Sequence, residues 1–344
     1  MARSDATPSA IQFGYKLMSE TTGPRELVRN AKLAEEAGFD FVGLSDHYLP
    51  WLESHGHSPF AWSVLGAIAE VTERVGIATG LTCPILRYHP AIIAQAAATI
   101  GVMSEGRFTL ALGAGERLNE HIVGYGWPHV DHRHDMLREA IEIMRGLWEG
   151  ELYSHSGEYY EVETARIYDL PETPVPIVLG VSASKSATLA GELGTGIMAV
   201  EPEASLVKEW QAAGGAGARY IELSFAYARS EKEGLEIAHK YSRFGALGWE
   251  VLAELPGVKA FEGATKFVKP EDLKDSVPHG PDPEPYVKAV KKAVDAGFDH
   301  VVLMGAGPDQ AGFIRFFEQT LAPQLRALSG GSKAKAKSKP SKKK

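Results

Sequence analysis

Short apolar runs recur along the chain, and between most of them the apolar positions fall back to the spacing of an amphipathic helix. Residues 11–15 alternate and predict a first strand. Pro24 opens a helix that reaches residue 37 and stops at Gly38. Residues 41–44 are a second, wholly apolar strand, and a helix follows over 61–71. A third strand is expected over 75–82, an alanine-rich helix from Pro90 to 103, and a fourth strand over 108–112. After a long loop a helix is expected over about 136–148. The second half repeats the rhythm, with strands at 177–179, 196–199, 220–225 and 300–303 and helices over 184–193 and about 311–325. Apolar strands alternating with helices belong to parallel sheets covered by helices. Eight of them predict an α/β fold, a (β/α)8 TIM barrel. The stretches Ala37-Gly38-Phe39-Asp40-Phe41-Val42 and Ala296-Gly297-Phe298-Asp299-His300-Val301 repeat one helix stop and strand start.

Two segments exceed the minimal unit. Residues 149–176 mix aromatic, charged and proline positions and predict a hairpin or excursion before the fifth strand. Residues 226–285 form a long insertion after the seventh strand, with a helix over about 231–249 and a Pro/Gly-rich return. Long excursions at the βα ends of a barrel commonly shape its pocket. The expected organisation is a polar lead over 1–10, a barrel over 11–328 and a tail over 329–344. The tail has seven lysines and no apolar residue larger than Ala or Pro, so it is expected to be disordered. It offers weak contact to polyanions, or no dedicated role.

The 344 residues carry a formal net charge of −8, which does not suggest a nucleic-acid partner for the chain as a whole. No apolar run reaches the ~20 residues of a membrane helix. The first residues lack the apolar core of a secretory signal. A single cysteine, Cys83, excludes an intramolecular disulfide and fits a reducing compartment. A cytoplasmic location is the expectation.

The chemistry gathers after the second strand, where Leu44 gives way to Ser45-Asp46-His47-Tyr48-Leu49-Pro50-Trp51. The C-terminal strand ends of a barrel are where reactive groups collect. An imidazole titrates near neutrality, so His47 can take a proton from an alcohol, with an adjacent acid such as Asp46 to orient it. It can also simply cap a loop. Trp51 can stack on a ring, donate its N–H, or pack in the core. After the fourth strand, Gly113-Ala114-Gly115 permits close backbone approach and Glu116 follows. Beside a flat apolar ring a carboxyl would titrate high and act as an acid. Glu116 also suits a helix N-terminus. Ser182 and Ala183 lead into a helix whose N-terminus suits a phosphate, or is an ordinary cap. His55 and His57 have the look of a metal pair, but a lone His-x-His in a loop seldom holds a metal. No metal is expected there, nor at His129, His132 and His134.

Ser45–Trp51, Arg87-Tyr88-His89-Pro90 with Gln95, and Gly113-Ala114-Gly115-Glu116-Arg117-Leu118-Asn119-Glu120 resemble the luciferase-like superfamily, in its branch that uses coenzyme F420. Gly14-Tyr15-Lys16, residues 167–171, Gly307-Pro308-Asp309-Gln310 and Leu321-Ala322-Pro323 extend the likeness over about 11–328. The resemblance implies a barrel, usually a homodimer, with the deazaflavin of F420 at its C-terminal mouth exchanging a hydride at C5. It assigns Asp46 to cofactor contact, His47 and Trp51 to the reacting centre, and Glu116 to proton handling. It places a non-prolyl cis peptide at Gly80-Leu81 behind the ring, puts Cys83, Gly115 and Asn119 at the cofactor, and matches Ser182-Ala183 to its phosphate site.

Members of that branch that oxidise glucose 6-phosphate place cations after the sixth strand. Here that segment reads Ala199-Val200-Glu201-Pro202-Glu203, and acids repel a phosphate dianion. Lys266, Lys269 and Lys274 are the candidate compensators. The expectation is an F420-dependent dehydrogenase or reductase acting on an alcohol or a sugar-like hydroxyl. The alternatives are glucose 6-phosphate oxidation, an FMN-dependent monooxygenase, and an F420-binding protein without chemistry.

Overall fold

A computed structural model describes residues 10–330. Eight parallel strands close into a barrel. They are β1 (Gln12–Leu17), β2 (Phe41–Leu44), β3 (Gly76–Thr79), β4 (Phe108–Leu112), β7 (Ile177–Gly180), β8 (Gly196–Ala199), β9 (Arg219–Phe225) and β10 (His300–Gly305). Around the barrel the order is β1-β10-β9-β8-β7-β4-β3-β2, so the predicted TIM barrel is the observed fold. The excursion before β7 is the predicted hairpin, β5 (Tyr153–Ser156) against β6 (Glu161–Ala165).

Strand residues alternate between two apolar layers, which is why the runs are continuous rather than alternating. One set packs outward under the helices α1 (Pro24–Glu36), α2 (Ala61–Val71), α3 (Pro90–Met103), α5 (Val130–Leu147), α6 (Ser184–Glu192), α7 (Ala204–Ala212), α11 (Glu284–Asp295) and α12 (Gln310–Phe316). The other set, Phe41, Ala111, Val178, Met198, Tyr220 and Val302, fills the barrel.

Several boundaries differ from the sequence reading. α5 begins at Val130 because the His129 side chain caps Asp131 N–H, so the loop is shorter than expected. Strand β1 runs on to Leu17, and β3 stops at Thr79. The insertion helix is broken. α8 (Glu231–Ser242) ends in a tight turn over Arg243–Leu247, and Gly248, with φ +74°, starts the short α9 (Trp249–Leu252). α10 (Val258–Ala264) follows. The last helix, α13 (Ala322–Gly330), follows a π-helical turn and takes in the first two residues of the expected tail. The rest of that tail and the first nine residues of the lead lie outside the described residues.

The insertion leaves and rejoins the barrel through a closed neck. Ala226 N–H donates to Pro278 O at 2.9 Å, and Gly280 N–H donates back to Ala226 O at 3.0 Å. Among the described residues no helix is long and apolar enough to cross a membrane.

Candidate active site

The short α4 (Arg117–Glu120) follows β4 at the C-terminal mouth of the barrel. Here the ends of β1, β2 and β4 bring three side chains to one point. His47 Nε2 lies 3.5 Å from Glu20 Oε1 and 3.5 Å from Glu116 Oε2. All three side chains are largely buried. His47 Nδ1 lies 3.1 Å from Leu49 O and 3.2 Å from Asn119 Nδ2. Asn119 Oδ1 accepts the N–H groups of Tyr48 and Leu49 at 2.9 and 3.2 Å, which fixes the amide. Its Nδ2 then faces Glu116 Oε2 at 3.1 Å. Nε2 is the nitrogen that faces the two carboxyls.

The two acids sit in opposite electrostatic settings. Burial pushes Glu20 up, but His47, Lys16 and a hydrogen bond from Ser45 Oγ (2.5 Å) outweigh it and hold it below the usual carboxylate range. Burial also pushes Glu116 up, the nearby Glu20 charge adds to it, and the attraction of His47 does not cancel them. The two carboxyls that flank this imidazole nitrogen are thus pushed in opposite directions, the arrangement by which neighbouring acids take different roles.

Trp51 donates its indole N–H to Glu20 Oε1 at 3.1 Å. Its ring stacks on Phe244 of the insertion, with centroids 4.8 Å apart and planes 4° apart. Phe261 meets its edge. The insertion thus covers the loop that carries His47. A second tie holds it there: Glu254 accepts from Trp127 Nε1 and Arg133 Nη2, each at 2.9 Å.

Asp46 does not orient His47. Its carboxylate accepts from Thr82 Oγ1 at 2.8 Å and from Tyr88 OH and Arg87 Nη2 at 3.1 Å. Arg87 also bonds the Asp46 carbonyl and reaches Glu120, whose carboxyl accepts Arg87 N–H at 2.8 Å. Burial pushes Glu120, fully inside the protein, up to about 7. Cys83 lies behind Gly115, where a Cβ would stand 2.6 Å from its sulfur. Burial pushes this thiol up, so it stays protonated.

Three glycines stand at neighbouring strand ends beside the cluster. Gly80 follows β3, Gly113 follows β4, and Gly180 ends β7, and these three strands are neighbours in the barrel. Leu81 alone crosses this shelf. A Cβ on Gly180 would clash with Leu81, and one on Gly113 would stand 3.2 Å from it. The Gly80-Leu81 peptide is cis, as the resemblance implied. Lys16 reaches under the shelf, donating to Gly80 O at 2.8 Å and pairing with Glu222 Oε2 at 2.6 Å. The glycines bring the backbone of these strand ends close to Leu81, the surface on which a flat ring would lie.

Ser182 and Ala183 stand exposed beyond β7, where α6 begins. Their N–H groups both go to Ser186 Oγ, at 3.1 and 3.2 Å. Glu201 and Glu203 are exposed after β8, and Lys266, Lys269 and Lys274 are exposed on the insertion. His55 turns Nε2 to Tyr241 O at 3.1 Å. Among the described residues no cluster of three metal-ligating side chains is found.

Sequence reasoning missed Glu20, Lys16 and Glu222. Like Asp46 and His47, Glu20 is a polar side chain just past a strand end, three residues beyond β1. Lys16 and Glu222 are the inward charges of otherwise apolar strands.

The profile of the luciferase-like monooxygenase family matches residues 7–300. An F420-dependent glucose-6-phosphate dehydrogenase of Nakamurella multipartita is 37% identical over 342 residues, covering 94% of this chain and 99% of the relative. The enzyme of the same description from Kribbella flavida is 38% identical over 343 residues, covering 93% and 99%. A solved F420-dependent secondary alcohol dehydrogenase, in complex with an F420-acetone adduct, superposes with a TM-score of 0.85 at 29% identity, over 92% of this chain and 99% of that one.

Proposed function

We propose that this chain, which belongs to the luciferase-like monooxygenase family, is an F420-dependent oxidoreductase that moves a hydride between the carbinol carbon of an alcohol or sugar-like substrate and the deazaflavin. The observation that carries this reading is the His47 nitrogen held between Glu20 and Glu116 beside the glycine shelf. Relatives that use F420 support the cofactor.

The bound deazaflavin would supply the hydride acceptor or donor at C5. Gly80, Leu81, Gly115 and Asn119 would border its ring, Cys83 backs Gly115, and Asp46 braces the loop that carries His47. The N-terminus of α6, with Ser182 and Ala183, takes the phosphate of its side chain. His47 Nε2 accepts the hydroxyl proton as the carbinol hydride leaves. Glu20 stabilises the imidazolium that forms, and Trp51 holds Glu20 in place. Glu116, whose hold on a proton burial strengthens, would carry the proton beside the ring. In the reducing direction each group runs in reverse.

Glu201 and Glu203 argue that glucose 6-phosphate is a poor substrate. The test is absorbance at the visible band of oxidised F420, with small secondary alcohols, free sugars and glucose 6-phosphate in separate reactions. Bleaching with a neutral alcohol or sugar and not with the phosphate is the expected result. Failure to bind F420 at micromolar concentration ends the reading, and bleaching with glucose 6-phosphate ends its finer part. His47→Ala should lower kcat by ~10²–10⁴-fold while F420 still binds.

A further inference from the structure

We infer that the substrate's carbinol carbon carries an extended apolar body, seated on a wall that the insertion lays against the catalytic loop. This rests on the CH–OH reading above and names the class of alcohol within it. Where the insertion meets Trp51, the side chains are apolar. Met18, Trp51, Leu52, Leu118 and Phe261 are buried, with Leu252 and Met304 beside them. Leu49, Phe244, Leu247, Trp249 and Leu255 pack on them and are only partly buried. That surface joins the reacting centre directly, through the Phe244–Trp51 stack.

Three of the charges nearby are already partnered, while Arg117 and Glu250 are exposed. Arg243 pairs with Glu262 at 2.7 Å and bonds Thr265 Oγ1. Glu254 is held by Arg133 and Trp127, and Lys16 by Glu222. Across the mouth Val200 is half exposed, and its charged neighbours Glu201 and Glu203 are acids. A substrate entering here meets hydrogen-bonding groups at one end, at Glu20, His47 and Glu116, and hydrocarbon at the other. A single hydroxyl on an alkyl or cycloalkyl body matches that division. A polyhydroxylated phosphate would leave its hydroxyls unpaired against leucine and tryptophan.

The experiment measures kcat/KM for 2-propanol, 2-butanol, 2-pentanol, 2-hexanol, glucose and glucose 6-phosphate with F420 saturating. Each added methylene should raise kcat/KM by about fourfold, the ratio equivalent to ~0.8 kcal/mol per buried CH₂. In Leu247→Asn and Trp249→Gln, checked for folding by circular dichroism, the ratio of 2-hexanol to 2-propanol should fall about tenfold. A flat series with measurable turnover overturns the inference and leaves the CH–OH reading standing. So does a sugar or sugar phosphate that outperforms every alcohol. Absence of turnover with all of them overturns the CH–OH reading instead. The wall is then judged by ketone binding, followed by tryptophan fluorescence with F420 bound. Tightening from acetone to 2-octanone supports it, and equal affinity overturns it.

Discussion

The indole N–H of Trp51 and the carboxylate of Glu20 meet at 3.1 Å, on the side of the acid that also faces His47. Trp51 therefore ties the cover of the site to its chemistry. Glu20→Gln keeps the shape and removes the charge that stabilises an imidazolium. It should lower kcat by ~10²-fold, with F420 affinity changed by less than about threefold. Trp51→Phe keeps the stack on Phe244 and loses the donor, and should fall between wild type and Glu20→Gln. Steady-state kinetics with fluorescence titration of F420 checks both.

Glu116 titrates above the usual carboxylate range, because of burial and then the Glu20 charge. If its proton is the one required, kcat/KM falls as pH rises through that raised value. Glu116→Gln should be slower and should lose that limb of the profile. An unchanged limb would assign it to another group.

Arg87 bridges two buried acids, Asp46 and Glu120. Arg87→Ala leaves both uncompensated and should destabilise the fold by ~3–5 kcal/mol in urea denaturation.

Glu120 gives a pH signature of its own. Its folded value is raised to about 7 from an ordinary 4.5. The folded state therefore holds the proton more tightly than the unfolded chain. This contribution is fully present below the unfolded value and is lost as pH rises towards 7. Wild-type Tm minus Glu120→Gln Tm should thus be larger at pH 5 than at pH 8, and a constant difference would refute the assignment.

The α6 terminus is tested with charge. Ser182→Asp should weaken F420 binding by about tenfold or more, and should have little effect on the deazaflavin core lacking its phosphate. Equal losses for both would place the phosphate elsewhere.

The barrel, the hairpin and the loop bearing His47 were legible because each is written in contiguous residues. Apolar runs mark strands, and Asp46-His47 breaks one of them abruptly. Glu116 was legible from the glycines before it. Glu20 was not, since its role depends on β1 lying beside β2, and the residues around it look ordinary. The Lys16–Glu222 pair joins positions 206 apart in sequence, which local patterning cannot register. Asp46 was assigned to His47 because neighbours in sequence look like partners. At the strand end their side chains diverge, and the partner comes from the next strand. Within the insertion, glycines at 245 and 248 break the helix that periodicity predicts.

The neck at Ala226, Pro278 and Gly280 gives the molecule a division of labour. The groups that converge on His47 come from residues 20–116, and much of the apolar cover comes from 244–261. Because the insertion departs and returns at one point, a change within it reaches the cover of the site without altering the chain that carries His47.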